Sequence, residues 1–505
     1  MKKNFSTDNL RIELNKTKYA NKVIGLCHGV FDLLHLGHIK HFEEAKKNCD
    51  ILIVSITSNR FVFKGPGRPK FDQNERMEAL AALQVVDFVI LSDFISAEQN
   101  IAQIKPKVYF KGPDYKNNAE DLTGKIIKEN KILKKFGGSI IYTKSKNYSS
   151  SKILNETYNS KKSKDILRDI VKRNFNFNKI KKLIQDLSSL KPLVIGEIIV
   201  DEYNFCEALG KSGKEPMLVI RDLFKEQYLG GSGAICNNLS EFCNNVSLLS
   251  YVGEKSENLN FINKKLKKNI LFKYIKKSNS TTILKKRFID DIIKSKILGL
   301  YSLNDAPLNK KEEHELTKNF INLNKKTNMT IISDYGHGLI SKNFINKVKK
   351  ASRFIAVNSQ INSANIGHHS LNYYNNVDLM TINEKELRHE MRSKDEKVSS
   401  LMKRLSKNLK INYLVVTRGS SGCVLFDRKK IKFYYSKAYT SKTLDKIGAG
   451  DTMLSILSIC IFNKIDLNLS LLISSLCAVQ SVNTIGNKVS INESLLLKDL
   501  DYFLI

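Results

Sequence analysis

Residues 28–38 read HGVFDLLHLGH. The stretch starts where an apolar run, VIGLCHG at 23–29, ends on glycine, and it feeds an amphipathic run, HIKHFEEAKKNC at 38–49. A strand-length apolar run, a glycine turn and a helix form the first half of a βαβ unit. Working outward, DILIVSIT (50–57), VDFVIL (86–91) and KVYFKG (107–112) read as further strands, and FDQNERMEALAALQ (71–84) as a second helix. Strands that alternate with helices specify a parallel sheet with crossover helices on its faces. This pattern fades near residue 155.

On either side the chain changes character. Residues 1–20 read as a polar leader. Residues 156–190 are rich in Lys, Asn and Ser, with helical spacing in ILRDIVKRNFNFNKIKKLIQDL, and read as a helical connector. A second α/β pattern opens at PLVIGEIIVDEY (192–203) and continues through NVSLLSYVG, MTIISDYG, RFIAVNS, DLMTIN and NYLVVTRG to the apolar helices DTMLSILSICIF and LSLLISSLCAVQSV. There is no short-period internal repeat.

The chain has 505 residues, enough for two or three domains, and its 42% hydrophobic content is that of an ordinary globular protein. No apolar run approaches the ~20 residues of a membrane span, and the N-terminus lacks the apolar core of a secretory signal. The eight cysteines are scattered without a CxxC pair and read as buried thiols in a reducing cytoplasm. The formal charge of +33 raises the question of nucleic acid. The lysines are spread from end to end, and no zinc knuckle, RNP motif or helix-turn-helix accompanies them. Nucleic acid is therefore not expected as a main partner, and the positive field suits anionic substrates instead.

Three of the nine histidines, His28, His35 and His38, fall in the opening stretch. A zinc protease would need HExxH and a third ligand, and neither is present. Any one of them could be a core histidine. Together, beside Gly29 and Gly37 at a helix N-terminus, they suit phosphate, because exposed helix amides attract anions and imidazoles donate to phosphate oxygens.

GVFDLLHLGH resembles the signature of the cytidylyltransferase-like nucleotidyltransferases, a Rossmann-like fold. RPKFDQNERMEALAAL, VYFKGPDY and YSSSKI are similar, in order and spacing, to the adenylyltransferase half of the ADP-heptose synthase family. The resemblance implies a nucleotidyltransferase domain over 21–155. It implies that His35 and His38 are catalytic and contact the nucleotide phosphates, and that Gly29, Phe31 and Asp32 shape the turn. It implies further that Lys64 and Arg76 neutralise a triphosphate, that Lys111, Gly112 and Asp114 line the nucleotide pocket, and that Ser149, Ser150 and Ser151 cap a helix near the phosphates. Mg²⁺ would arrive on the nucleotide.

In the second half, DKIGAGDTMLS (445–455) puts a small-residue turn at the start of a long apolar helix. Amides at such a turn can hold the charge of a phosphoryl group in flight, and Asp451 can take a proton from an attacking hydroxyl. An Asp after a glycine turn can also be a plain N-cap. No Walker A motif is present, which argues against a P-loop kinase.

This half resembles the ribokinase-like (PfkB) carbohydrate kinases, implying such a domain over 191–505. By that resemblance Asp451 is the general base, and Gly448, Ala449 and Gly450 form the anion hole. Asp201, Gly230, Gly231 and Asp334 face the sugar. Asn383 and Glu386 act near Mg²⁺ and phosphate, and Thr417, Arg418, Gly419 and Gly422 approach ATP. EPMLVIRDLFKEQYL (215–229) is the expected β-lid, a segment such enzymes often use to dimerise. Two departures stand out: the heptose kinases carry an asparagine where this chain has Ala234, and Asp-Pro-Lys where it has Asn358, Ser359 and Gln360.

A sugar kinase joined to a nucleotidyltransferase, in an order reversed from the familiar enzyme, implies a cytoplasmic bifunctional transferase. It would phosphorylate a sugar phosphate at C1 with ATP, then transfer a nucleotidyl group from ATP or CTP to give an ADP-heptose-type product. The alternatives are a CTP-dependent enzyme for a polyol or another sugar phosphate, or a kinase half kept as a nucleotide-binding or assembly module. A homodimer is the expected state.

Overall fold

The computed structural model describes residues 4–5, 7–14, 19, 21–62, 69–94, 96–112, 125–144, 175–293, 295–361, 370–439, 447–483, 486–487 and 490–504. The chain divides into two compact units, Met1–Val171 with Ser494–Ile505, and Lys172–Glu493. The second unit thus ends short of the expected 505. The segment read as a leader contributes a strand and a helix to the first unit, with Leu10 fully buried. Of the expected connector, Phe177–Asp186 is a helix, and most of the rest lies outside the described residues.

The first unit is built on β1 (Asn4–Phe5), β2 (Ile24–Gly29), β3 (Ile51–Thr57), β4 (Phe88–Ser92), β5 (Val108–Lys111) and β6 (Ser139–Tyr142), in the spatial order β1-β4-β3-β2-β5-β6. Every pairing is parallel. Alternate residues supply the two faces: Cys27, Val54 and Phe110 pack with Phe42 and Leu80, while Leu26, Ile53 and Tyr109 pack with Leu10, Ile101 and Leu133. Helices therefore cover both sides, which is why β3 is buried along its whole length. The chain leaves β2 toward β3 on one side and later returns to β5 on the other. That reversal opens a crevice at the carboxyl ends of β2 and β5, where sheets of this kind hold ligands.

The second unit has strands β7 (Pro192–Gly196), β8 (Ile198–Lys211), β9 (Leu218–Gly231), β10 (Val246–Gly253), β11 (Ile270–Lys277), β12 (Leu284–Asp290), β13 (Lys296–Ser302), β14 (Met329–Asp334), β15 (Ile355–Ser359), β16 (Leu379–Asn383), β17 (Tyr413–Thr417), β18 (Cys423–Asp427) and β19 (Lys432–Ser436). Among the described residues, nine form one sheet in the order β11-β10-β7-β14-β15-β16-β17-β18-β19, parallel up to β17 and antiparallel beyond it. One face packs on Leu316, Phe320, Phe344, Leu401 and Leu405. The helix Ala449–Phe462 is buried almost all round, as its unbroken apolar sequence demands. The other four strands, β13-β12-β8-β9, form a separate small sheet. It contains the segment expected as the lid. The sequence run PLVIGEIIVDEY reads as one strand, yet it is two, because the chain passes from the large sheet to the small one at Glu197.

Candidate active sites

In the first unit the turn after β2 is fixed from several sides. Phe31 takes a left-handed conformation (φ 49°) and a Cβ on Gly29 would meet its ring at 2.9 Å, so the turn needs both that strain and that glycine. Asp32 is buried, and its Oδ1 accepts from the amides of Lys70 (2.7 Å) and Phe71 (3.0 Å). His35 caps the helix Leu36–Lys46 in extended backbone, and its ring stacks on His38 with centroids 3.9 Å apart. His38 also meets the edge of Phe31 at 5.3 Å. Two of the three sequence histidines thus lie ring on ring at a helix mouth in the crevice. His28 instead bonds Ser55 (3.1 Å), which is joined through Asn100 to Ser92.

Arg76 has a different task from the one its place in the sequence suggests. It is buried, donating from Nη1 to the carbonyls of Val30 (2.7 Å) and Thr57 (2.9 Å), from Nε to Phe71 (3.1 Å) and from Nη2 to Asn59 (2.8 Å). It ties the turn, the end of β3 and the approach to helix Gln73–Ala81 into one block. Lys111 ends β5 at the crevice, but its ammonium pairs with buried Glu129 (3.1 Å), which also accepts from Tyr109 and the Ala97 amide. Gly112 follows with open space where a Cβ would lie. Lys64, Asp114, Ser149, Ser150 and Ser151 lie outside the described residues.

In the second unit Gly448 takes φ 88° and ends the loop before the helix Ala449–Phe462. The amide of Thr452 bonds the Gly448 carbonyl (2.9 Å), which leaves those of Ala449, Gly450 and Asp451 at the open end of the helix. Asp451 is buried, and Tyr335 donates to its Oδ1 at 2.7 Å. Burial pushes its carboxyl up to about 7; nearby Asp201 adds to the rise, while the Tyr335 bond and Lys285 oppose it. A base tuned to neutral pH suits abstraction of a hydroxyl proton.

Of the other expected residues, Asp201 lies near enough to Asp451 to raise its carboxyl. Arg287 pairs with Asp201 (2.5 Å), and a Cβ on Gly230 would strike Asp201 Oδ2 at 2.2 Å. Gly231 has φ 59°, and its Cβ would lie 2.4 Å from the backbone oxygen of Glu197. Since that oxygen is main chain, Gly231→Ala should cost about 2 kcal/mol or more in stability, read as a lowered melting temperature of the second unit. Asp334 accepts from the Gly336 amide (2.9 Å) and Tyr374 (2.5 Å). Asn383 and Glu386 cap each other's amides at the start of helix Glu384–Glu390. Burial pushes Glu386 up to about 7, and only hydrogen bonds oppose that rise. A divalent cation beside it would favour the ionised carboxyl. Arg418 pairs with Glu384 (2.8 Å) beside Thr417, and Gly419 and Gly422 take φ 56° and 81° around the turn into β18.

At the departures, Ala234 is buried. Asn238 bonds Thr452 Oγ1 (3.1 Å) and accepts from the Ile491 amide, so it braces helices instead of replacing a sugar ligand. Asn358 donates to the Thr381 carbonyl at 2.7 Å, and the Gln360 backbone N–H donates to the Asp334 carbonyl (2.9 Å).

Sequence reasoning did not pick out Glu197, Lys285, Arg287 or Tyr335. Signals existed: Glu197 is the lone charge in PLVIGEIIV, and a charge inside a buried strand run needs a purpose. Lys285 and Arg287 alternate along β12 and so share a face.

Comparison with known proteins agrees with both resemblances. The profile described as pfkB family carbohydrate kinase matches residues 190–493, and the one described as cytidylyltransferase-like matches 26–156. The chain is 25% identical over 326 residues to the bifunctional protein HldE of Campylobacter jejuni, covering 63% of this chain and 68% of that one. It is 36% identical over 135 residues to the HldE of Geobacter metallireducens, covering 26% of each. Among solved structures, ribokinase from Giardia lamblia superposes with a TM-score of 0.50 at 16% identity, over 62% of this chain and all of that one, which bears out the fold.

Proposed function

The chain belongs to the pfkB family of carbohydrate kinases and carries a cytidylyltransferase-like unit ahead of it; from that premise we propose that it makes a nucleotide-activated sugar in two steps, with an ADP-heptose-type product. The anomeric hydroxyl of a sugar phosphate attacks the γ-phosphorus of ATP. Asp451 takes the hydroxyl proton, ADP leaves, and the amides of 449–451 hold the charge on the moving phosphoryl group. The new anomeric phosphate then attacks the α-phosphorus of a nucleoside triphosphate in the other unit, and pyrophosphate leaves; the sugar's first phosphate stays on the product unless a separate hydrolysis removes it. His35 and His38, with Gly29, Phe31 and Asp32 setting their turn, donate to the phosphates there. Mg²⁺ on each nucleotide would supply charge neutralisation, and Glu386 is the kinase residue that would hold it.

The observation that carries this reading is the buried Asp451, tuned to about 7 at the open end of a helix. The test is phosphorus NMR of the protein with Mg²⁺, ATP, CTP and a panel of sugar phosphates. A sugar bisphosphate followed by a nucleotide diphosphosugar is expected; no consumption of any sugar phosphate would overturn the proposal. The neutral set at Ala234 and Asn358–Gln360 favours a second reading, a different sugar or polyol phosphate with CTP, which the same panel separates.

His35→Ala and His38→Ala should each cut pyrophosphate release roughly 10²–10³-fold, since each removes a donor to developing phosphate charge. No helix among the described residues is long and apolar enough to cross a membrane. We place the enzyme in the cytoplasm as a homodimer joined through the small sheet. That sheet exposes Leu298, Leu300, Tyr301 and Phe224, and sedimentation would reveal the dimer.

A further inference from the structure

The small sheet is joined to the large one by four connections, and each of them grips the turn 335–338 or the residue that holds it. The passage from β7 to β8 is Glu197 itself. Its carboxylate accepts from the amides of Tyr335 (3.0 Å) and His337 (3.2 Å). Where β9 returns, the Ser232 amide bonds the Glu197 carbonyl at 3.0 Å. Lys277 closes β11 just before the passage to β12, and its ammonium donates to the carbonyls of His337 (3.0 Å) and Asn304 (2.6 Å). On the way out of β13, Asp305 holds His337 Nδ1 at 2.6 Å, and the Leu308 amide bonds the Gly338 carbonyl. A Cβ on Gly338 would lie 2.2 Å from the Ala306 oxygen, so loop and turn are in direct contact.

The turn in question delivers Tyr335 to Asp451. His337 is buried, and its Nε2 has no hydrogen-bond partner among the described residues, so Asp305 alone fixes the ring. Burial, then Lys285, disfavour a charged imidazole, against the pull of Asp305 and Asp334. The neutral ring therefore donates from Nδ1 to the Asp305 carboxylate. Lys277 and Glu197 bond the backbone of His337 itself, and Asp201, Lys285 and the Tyr335 hydroxyl act on Asp451.

We propose that Asp305 and His337 are positioning residues that couple the small sheet to the base: movement of the sheet is passed through the Asp305–His337 bond to the turn, and so sets whether Tyr335 bonds Asp451. The inference rests on the kinase reading of Asp451.

The test is a carboxyl-carbon NMR titration of the full chain labelled at aspartate, with the Asp451 signal identified by its loss in Asp451→Asn. The Tyr335 bond holds the Asp451 carboxyl down, so Tyr335→Phe should raise its midpoint by about half a pH unit or more. Asp305→Ala and His337→Asn should raise it in the same direction, and the double variant Asp305→Ala/Tyr335→Phe should go no further than Tyr335→Phe. In turnover assays Asp305→Ala should lower kcat roughly tenfold while KM for ATP holds. An Asp451 midpoint unmoved by Asp305→Ala, or shifts that add in the double variant, would overturn the coupling. Asp305 is partly exposed, so its variant carries the test if His337→Asn does not fold. The titration needs no turnover. Failure of the kinase reading would appear separately, as a wild-type protein that transfers no phosphoryl group.

Discussion

Asp451→Asn is expected to reduce phosphoryl transfer to the sugar by about 10²–10⁴-fold, the range that a positioned general base supplies. Pyrophosphate release from a supplied sugar 1-phosphate is chemistry of the other unit and should continue. In the wild type, kcat/KM of the kinase should climb about tenfold per pH unit below pH 7 and level off above it, because only the ionised carboxyl can take the proton and burial pushes that carboxyl up to about 7. Stability should run the other way. The native carboxyl holds its proton up to about 7, whereas an unfolded aspartate releases it near ~3.9. The folded state thus binds more protons between those values, and its stability falls as pH rises through them. Asparagine removes that slope. Thermal melts should show Asp451→Asn gaining on the wild type from pH 5 to pH 8. Unchanged turnover in this variant would remove Asp451 from the base role.

The second large effect is expected at Arg76. Arg76→Met leaves the buried carbonyls of Val30 and Thr57, and the partly buried one of Phe71, without their donor. At 1–3 kcal/mol for each buried group left unsatisfied, with partial relaxation, the loss is about 3–5 kcal/mol. The first unit should melt roughly 10 °C lower. Arg76→Lys should rescue little, since one ammonium cannot reproduce a planar fork that reaches three chain segments. A variant that melted like the wild type with a raised KM for nucleoside triphosphate would instead return Arg76 to the phosphate role that its motif suggests.

Arg76 also shows where sequence reading stops. Its place in RPKFDQNERMEALAAL is legible, but whether a cation faces ligand or carbonyls depends on chain segments 46 and 19 residues away. Periodicity served better. VIGLCHG, DILIVSIT, VDFVIL and KVYFKG all became neighbouring parallel strands, since apolar runs of that length need a sheet covered on both faces. Segments with little apolar contrast were harder: residues 4–14 read as a leader because their sequence is mostly polar, although Leu10 is fully buried, and SIIY at 139–142 is too short to stand out. In the kinase unit the glycine turn and Asp451 were legible as local sequence. Tyr335 and Lys285 were not, because they reach Asp451 only after strands far apart in sequence come together, and neither was Glu197, which holds the Tyr335 amide from another strand.

The order of strands in the second unit also bears on how it is made. β7 is flanked by β10 and β14, and Pro192 pairs with Met329. During synthesis the first strand of the large sheet must therefore wait, with one long edge bare, until the whole small sheet has emerged from the ribosome. Non-local pairing of this kind is slow and leaves apolar edges open to other chains. The small sheet, whose β8 and β9 pair locally as a hairpin, is free to form first. A nascent chain arrested before residue 329 should hold that hairpin but resist protease poorly over 192–196, and arrest beyond 334 should bring protection to both together.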